Sequence, residues 1–109
     1  MSNDQTIEEQ IQAKDLTAPR ITVDHIAKLM DRVEYTFGTV GTSTFCHAFL
    51  DQRFFLGTGH SACVSPENYD EQIGRDIALR NAQQEAAKQL WALEGYRLFT
   101  QLNEEPPIV

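Results

Sequence analysis

The sequence contains no apolar run long enough for a membrane-spanning helix and no charged-then-apolar leader at its start. A chain of this kind is expected to stay in the cytoplasm where it is made, with no membrane partner. Basic residues are also scarce, nine Lys and Arg against sixteen Asp and Glu, for a formal charge of −7. Domains that track a nucleic-acid backbone concentrate Lys and Arg, so the balance argues against duplex DNA as a partner. Only two cysteines, Cys46 and Cys63, are present. In the reducing cytoplasm both are expected as free thiols. No phosphate-binding loop, GxSxG elbow, HExxH pair or dinucleotide fingerprint occurs, which makes a non-enzymatic role, with no cofactor, the leading expectation.

What is present is an ordinary globular composition, 41% apolar and 23% charged over 109 residues, enough for one modest core. Its clearest feature is a long helix. Ser65 before Pro66, and Asn68 with Glu71, are helix-starting signals, so the spacing predicts a start between Ser65 and Asn68. Gly74, Ala78, Ala82, Ala86, Leu90 and Leu93 then recur at intervals of four and three, forming one stripe flanked by Ile73, Ile77 and Trp91. A stripe so rich in small residues lets another backbone approach closely. Gly95 is the expected stop, near Leu93, with Tyr96 to Leu102 left as a short helix or a strand.

Upstream, Thr6 with Glu9 is a capping box, and the pattern predicts a thin helix over Thr6 to Asp15, with Ile7, Ile11 and Leu16 on its apolar edge, ended by Ala18-Pro19. Thr22 caps a second, amphipathic helix reaching about Val33. Residues 34–43, rich in Thr and Gly, read as a loop or irregular edge strand. Thr44 to Leu50 and Phe54 to Thr58, joined by the polar Asp51-Gln52-Arg53, read as a hairpin in which Phe45 and Phe49 share a face. Two strands are marginal alone, so a third strand or a partner chain should extend the sheet. The expected architecture is α+β: a small antiparallel sheet packed on one long C-terminal helix, with short N-terminal helices. Residues 1–20 form an arm, 21–102 a single domain, and 103–109 a tail.

Two thiols and two imidazoles, Cys46, His47, His60 and Cys63, raise the question of a metal, and His60-x-x-Cys63 is a spacing zinc sites use. Cys46 and His47 are adjacent in a strand and point to opposite faces, which counts against one tetrahedral site. Cys63 ahead of a helix start could be an activated thiolate, yet no third orienting residue accompanies it. Neither catalytic nor metal residues are assigned. More suggestive is the segment around Thr58, Gly59, His60 and Ser61, where small residues and hydroxyls precede the positive end of the long helix, an arrangement that holds anions. Arg75, with Arg53 and Arg80, could add charge, and Tyr69, Trp91 and Tyr96 could stack on a base. The competing account makes the glycines a strand exit and the aromatics core.

The block SACVSPENYDEQIGRDIALRNA and the later WALEGYRLFTQL are similar to the signature of a family of small tailed-phage proteins, the gene 49/gene 66 product family. Leu16-Thr17-Ala18-Pro19-Arg20 resembles its N-terminal part, so the resemblance covers most of the chain. It implies a phage origin and work in the host cytoplasm, and it brings no activity and no catalytic residues. Phage proteins of this size without an enzyme motif mostly act by binding. The leading expectation is therefore an oligomeric accessory protein, a dimer or tetramer, that sequesters a small nucleotide-type host defence signal at Thr58, Gly59, His60, Ser61, Tyr69, Arg75 and Trp91. An inhibitor binding a host protein through an acidic helical surface is the alternative, and a thiol or metal enzyme at Cys63 a weaker one.

Overall fold

A computed structural model describes residues 3–13 and 18–103. The elements are α1 (Asn3–Ala13), α2 (Val23–Met30), β1 (Val33–Val40), β2 (Ser43–Leu50), β3 (Phe54–Ala62), a 3-10 turn (Pro66–Asn68) and α3 (Glu71–Leu102). The strands form one antiparallel sheet in the order β1-β2-β3, and α3 packs along it, chiefly against β3 and β2. This is the expected α+β architecture. The third strand that the hairpin needs is β1, formed by residues that sequence left between loop and edge strand.

Local chemistry accounts for the boundaries. Thr22 caps α2 by accepting from the backbone N–H of His25 at 3.0 Å, as expected, though the helix ends at Met30. Chain reversal between β2 and β3 uses Asp51 and Gln52 at φ of 53° and 63°, with Arg53 N donating to Leu50 O at 3.1 Å. Two consecutive left-handed residues make the twist of this turn match that of the strands. The long helix starts later than the sequence predicts. Ser65 and Pro66 open only the 3-10 turn, without a side-chain cap, and Tyr69 is extended before Asp70 caps α3 by accepting from Ile73 N at 3.0 Å. Nor does Gly95 end it: α3 continues to Leu102, where Asn103 N and Nδ2 donate to Phe99 O at 3.1 and 2.8 Å. Glycine inside a helix costs only about 1 kcal/mol, too little to stop one already running. The expected first helix is present as α1, but it begins at Asn3, so Thr6 lies inside it and is not its cap; its predicted end at Asp15, Leu16 on its apolar edge and the tail beyond Asn103 lie outside the described residues.

Packing follows residue size. Gly74, Ala78, Ala82, Ala86 and Leu90 are the buried positions of α3, the stripe seen in the sequence. They meet Thr44, Cys46 and Ala48 of β2, the buried face of that strand. At Gly59 the two backbones nearly touch: a Cβ there would stand 2.9 Å from Ala82 Cα and closer still to the Ala78 carbonyl oxygen. A second cluster of Ile26, Val33, Ala48, Leu56, Ala86 and Leu90 joins α2 to the sheet; burying each large aliphatic side chain there contributes roughly 1.5–3 kcal/mol. Phe45 and Phe49 do share a face, but it is the one turned away from α3. The molecule is consequently thin, 55 × 40 × 20 Å, with a radius of gyration of 17.8 Å against about 13 Å for a compact chain near this length.

Candidate functional site

The described structure divides the seven expected ligand residues among five places. Gly57–Ala62 is not a loop before the helix but the second half of β3. Alternation along that strand sends Thr58 and His60 to the face away from α3, where Thr58 Oγ1 bonds His47 Nδ1 at 2.8 Å and the His60 ring stacks on Phe45 with centroids 4.7 Å apart. Gly59 and Ser61 face α3. Gly59 is spent on the close approach to Ala78 and Ala82, so its missing side chain serves helix packing and not access for an anion. Arg75 lies over the Phe37 ring, 4.5 Å from its centroid, with Glu71 4.0 Å away. Trp91 is about 30 Å further along the helix from its start, beside Ile7, Ile11, Ile21 and Val23 at a cavity of about 350 Å3.

Ser61 and Tyr69 alone come together. With Thr42, Cys63, Asn68, Asp70 and Gly74 they line a cavity of about 210 Å3 between the end of β3 and the first turn of α3. Its rim is held by short-range bonds: Thr42 Oγ1 donates to Cys63 O, Cys63 N donates to Thr42 O at 3.2 Å, and Cys63 Sγ donates to Ser65 O at 3.1 Å. Ser61 contributes a hydroxyl, Asn68 an amide and Tyr69 a ring with a phenol. Asp70 already accepts from Ile73 N, so the helix N-terminus is occupied by a carboxylate and is not a bare anion site. Among the described residues no Lys or Arg lines the cavity.

Beneath this site lies Thr44, 1% exposed, whose Oγ1 has no hydrogen-bond partner among the described residues. It is 2.9 Å from where a Cβ of Gly74 would be, and the Tyr69 ring is 3.9 Å from the same point. Any larger residue at 74 would meet that hydroxyl. Sequence reading missed Thr42, Thr44, Asn68, Asp70 and Gly74 as neighbours of the site. The 3-10 turn that folds Asn68 and Tyr69 back over β3 could have been suspected from Ser65-Pro66 followed by a second cap signal at Asp70.

The remaining reactive groups are separated. Cys46 faces α3 and is fully buried; burial pushes its thiol, and that of the neighbouring Tyr35 phenol, above the ordinary value, with Arg75 partly offsetting the effect on Cys46. His47 faces the other side of the sheet, as does His60, while Cys63 lines the cavity. Among the described residues no three His, Cys, Asp or Glu gather as metal ligands, and no helix is long and apolar enough to cross a membrane.

A three-stranded sheet backed by one capped helix, with a hydroxyl- and amide-lined cavity at their junction, defines a small two-layer α+β protein. The chain belongs to the phage protein (N4 Gp49/phage Sf6 gene 66) family, whose model matches residues 4–102. No curated protein and no solved structure matches it.

Proposed function

We propose that this phage protein is a non-enzymatic accessory protein that acts in the host cytoplasm as a homo-oligomer, sequestering a small nucleotide-type defence signal. The observation that carries the reading is the cavity lined by Ser61, Asn68, Tyr69, Asp70 and Gly74, with the unpartnered hydroxyl of Thr44 buried behind Gly74. Leaving a buried hydroxyl unmatched costs about 1–3 kcal/mol, a cost that a fold tolerates where the polar group is used in a bound state.

The lining selects the part of the ligand. A carboxylate, an amide and hydroxyls suit a sugar or base edge, and the Tyr69 ring suits stacking; the absence of Lys and Arg from the lining leaves phosphates outside. At about 210 Å3 the cavity suits one nucleoside portion, smaller than the usual pocket for a whole drug-sized ligand. Thr44→Val separates structure from function. It removes the unmatched hydroxyl, so the fold should gain about 1–2 kcal/mol in denaturant unfolding, while titration calorimetry with ADP-ribose and cyclic di-AMP should show weaker binding. A variant that gains stability and binds both probes as the parent does would remove the basis for this reading.

A host-protein inhibitor remains a second reading, favoured by the end of α3, where Tyr96, Phe99 and Leu102 are each more than half exposed. It requires that Phe99→Glu abolish capture of a host protein by the full chain; capture unchanged by that substitution would reject the helix end as the contact.

A further inference from the structure

The face of the sheet away from α3 carries Glu34, Thr36, Gly38 and Val40 from β1, Ser43, Phe45, His47 and Phe49 from β2, and Phe55, Thr58, His60 and Ala62 from β3, as the strand register requires. Its aromatic groups are organised. Phe45 stacks between His60 and His47, at centroid separations of 4.7 and 6.5 Å and interplanar angles of 15° and 7°. Phe49 meets Phe55 edge-on at 5.6 Å. A sheet with one solvated face ordinarily turns apolar residues to its helix and polar ones to water. Here Thr44, Cys46, Ala48 and Gly59 go to the helix while Phe45, Phe49 and Phe55 go outward.

Charge discriminates among the partners this face could take. In a chain with sixteen acidic residues and a net charge of −7, these twelve positions hold one formal charge, Glu34, at the margin, where it accepts from Gln52 Nε2 at 2.8 Å. Two copies of so acidic a protein repel through most of their surfaces, and this face is where they can meet without opposing carboxylates. A polyanion or an acidic membrane surface would need Lys or Arg, and the face has neither. Shape agrees: the molecule is 20 Å thick, a sheet and one helix layer, and a second sheet packs on a first at about 10 Å. Beside Phe45, at its register partner Gly38, a Cβ would have nothing within 4 Å, leaving a notch that a ring from the opposite sheet can enter.

We infer that two copies of this chain associate through these sheet faces, as a two-fold sandwich with α3 on each outer side. The inference rests on the homo-oligomer part of the function proposed above and not on its ligand. Sedimentation velocity of the full-length protein between 5 and 200 µM (about the range in which modest interfaces dissociate) tests it with Thr36→Glu, Gly38→Arg and the control Phe99→Glu. Both face substitutions are at exposed positions and should leave the circular dichroism of the chain near that of the parent, with a lower melting temperature only to the extent that association stabilises the parent. The parent is expected to sediment as twice the 12.4 kDa chain or a multiple of it, and each face variant at half the parent's mass or less, with the control unchanged. A monomeric parent at the highest concentration overturns the inference, and so do face variants that assemble like the parent or a control that dissociates as they do. Because nucleotide binding is read separately, a monomeric parent that still retains nucleotide would end this inference and leave the ligand reading standing.

Discussion

Gly59 of β3 and Ala82 of α3 meet backbone to backbone: a Cβ on the glycine would stand 2.9 Å from the alanine Cα, closer than side-chain carbons ever approach. Gly59→Val should therefore destabilise the protein by about 3 kcal/mol or more, since neither a strand nor a helix backbone can yield to it. Gly38→Ala, in the same sheet with open space around it, should be neutral or slightly stabilising. Denaturant unfolding of the two variants checks the contrast, and equal effects would mean that the helix does not sit so closely on β3.

The thiols should differ in reactivity. Cys46 is fully buried and its thiol is held above its ordinary range by that burial, whereas Cys63 is partly exposed. Since the thiolate is the reacting species, the folded chain is expected to titrate one cysteine promptly with a disulfide reagent and the second only on unfolding. Prompt labelling of both would show that the α3–sheet contact opens readily.

At the β2–β3 turn, Gln52 holds a φ of 63°. Glycine takes that conformation at no steric cost, so Gln52→Gly should raise stability by ~1 kcal/mol, less the small contribution of its exposed bond to Glu34. A lower melting temperature in the variant would count against the turn geometry.

The same turn should show an acid dependence. Asp51 is bonded to Arg32, and that hydrogen bond, followed by the charge of Arg32, lowers its carboxyl from the ordinary value. A depressed carboxyl stabilises the fold above its unfolded pKa, about 3.9, and the benefit is lost as pH falls through the folded value. Arg32→Gln should accordingly melt below the parent at pH 6, the difference closing as the pH drops below about 4. A gap that persists unchanged at pH 2.5 would contradict this assignment.

How much the sequence disclosed depends on the kind of signal. The stripe from Gly74 to Leu90, the cap at Thr22 and the hairpin turn were legible because each is a local pattern with a local cause. The face on which Phe45 would lie was not, because alternation says which residues share a face but not which face meets the helix. Small residues on α3 decide it, by admitting only small residues opposite. Gly59 was ambiguous for a related reason: a glycine before a helix looks alike whether it admits a ligand or a backbone. Ser61 and Tyr69, expected at one place, do line one cavity, while Trp91 is carried away from them by the twenty residues of α3 that precede it.

Native mass spectrometry of the full-length protein, with and without cyclic dinucleotides and ADP-ribose derivatives, tests the central claim most directly. The expected spectrum is an assembly of more than one chain that retains one of these nucleotides, with that retention lost in Ser61→Val and Tyr69→Ala variants that remain folded. Spectra in which no nucleotide of either class is retained, or in which both variants retain it as the parent does, would contradict it.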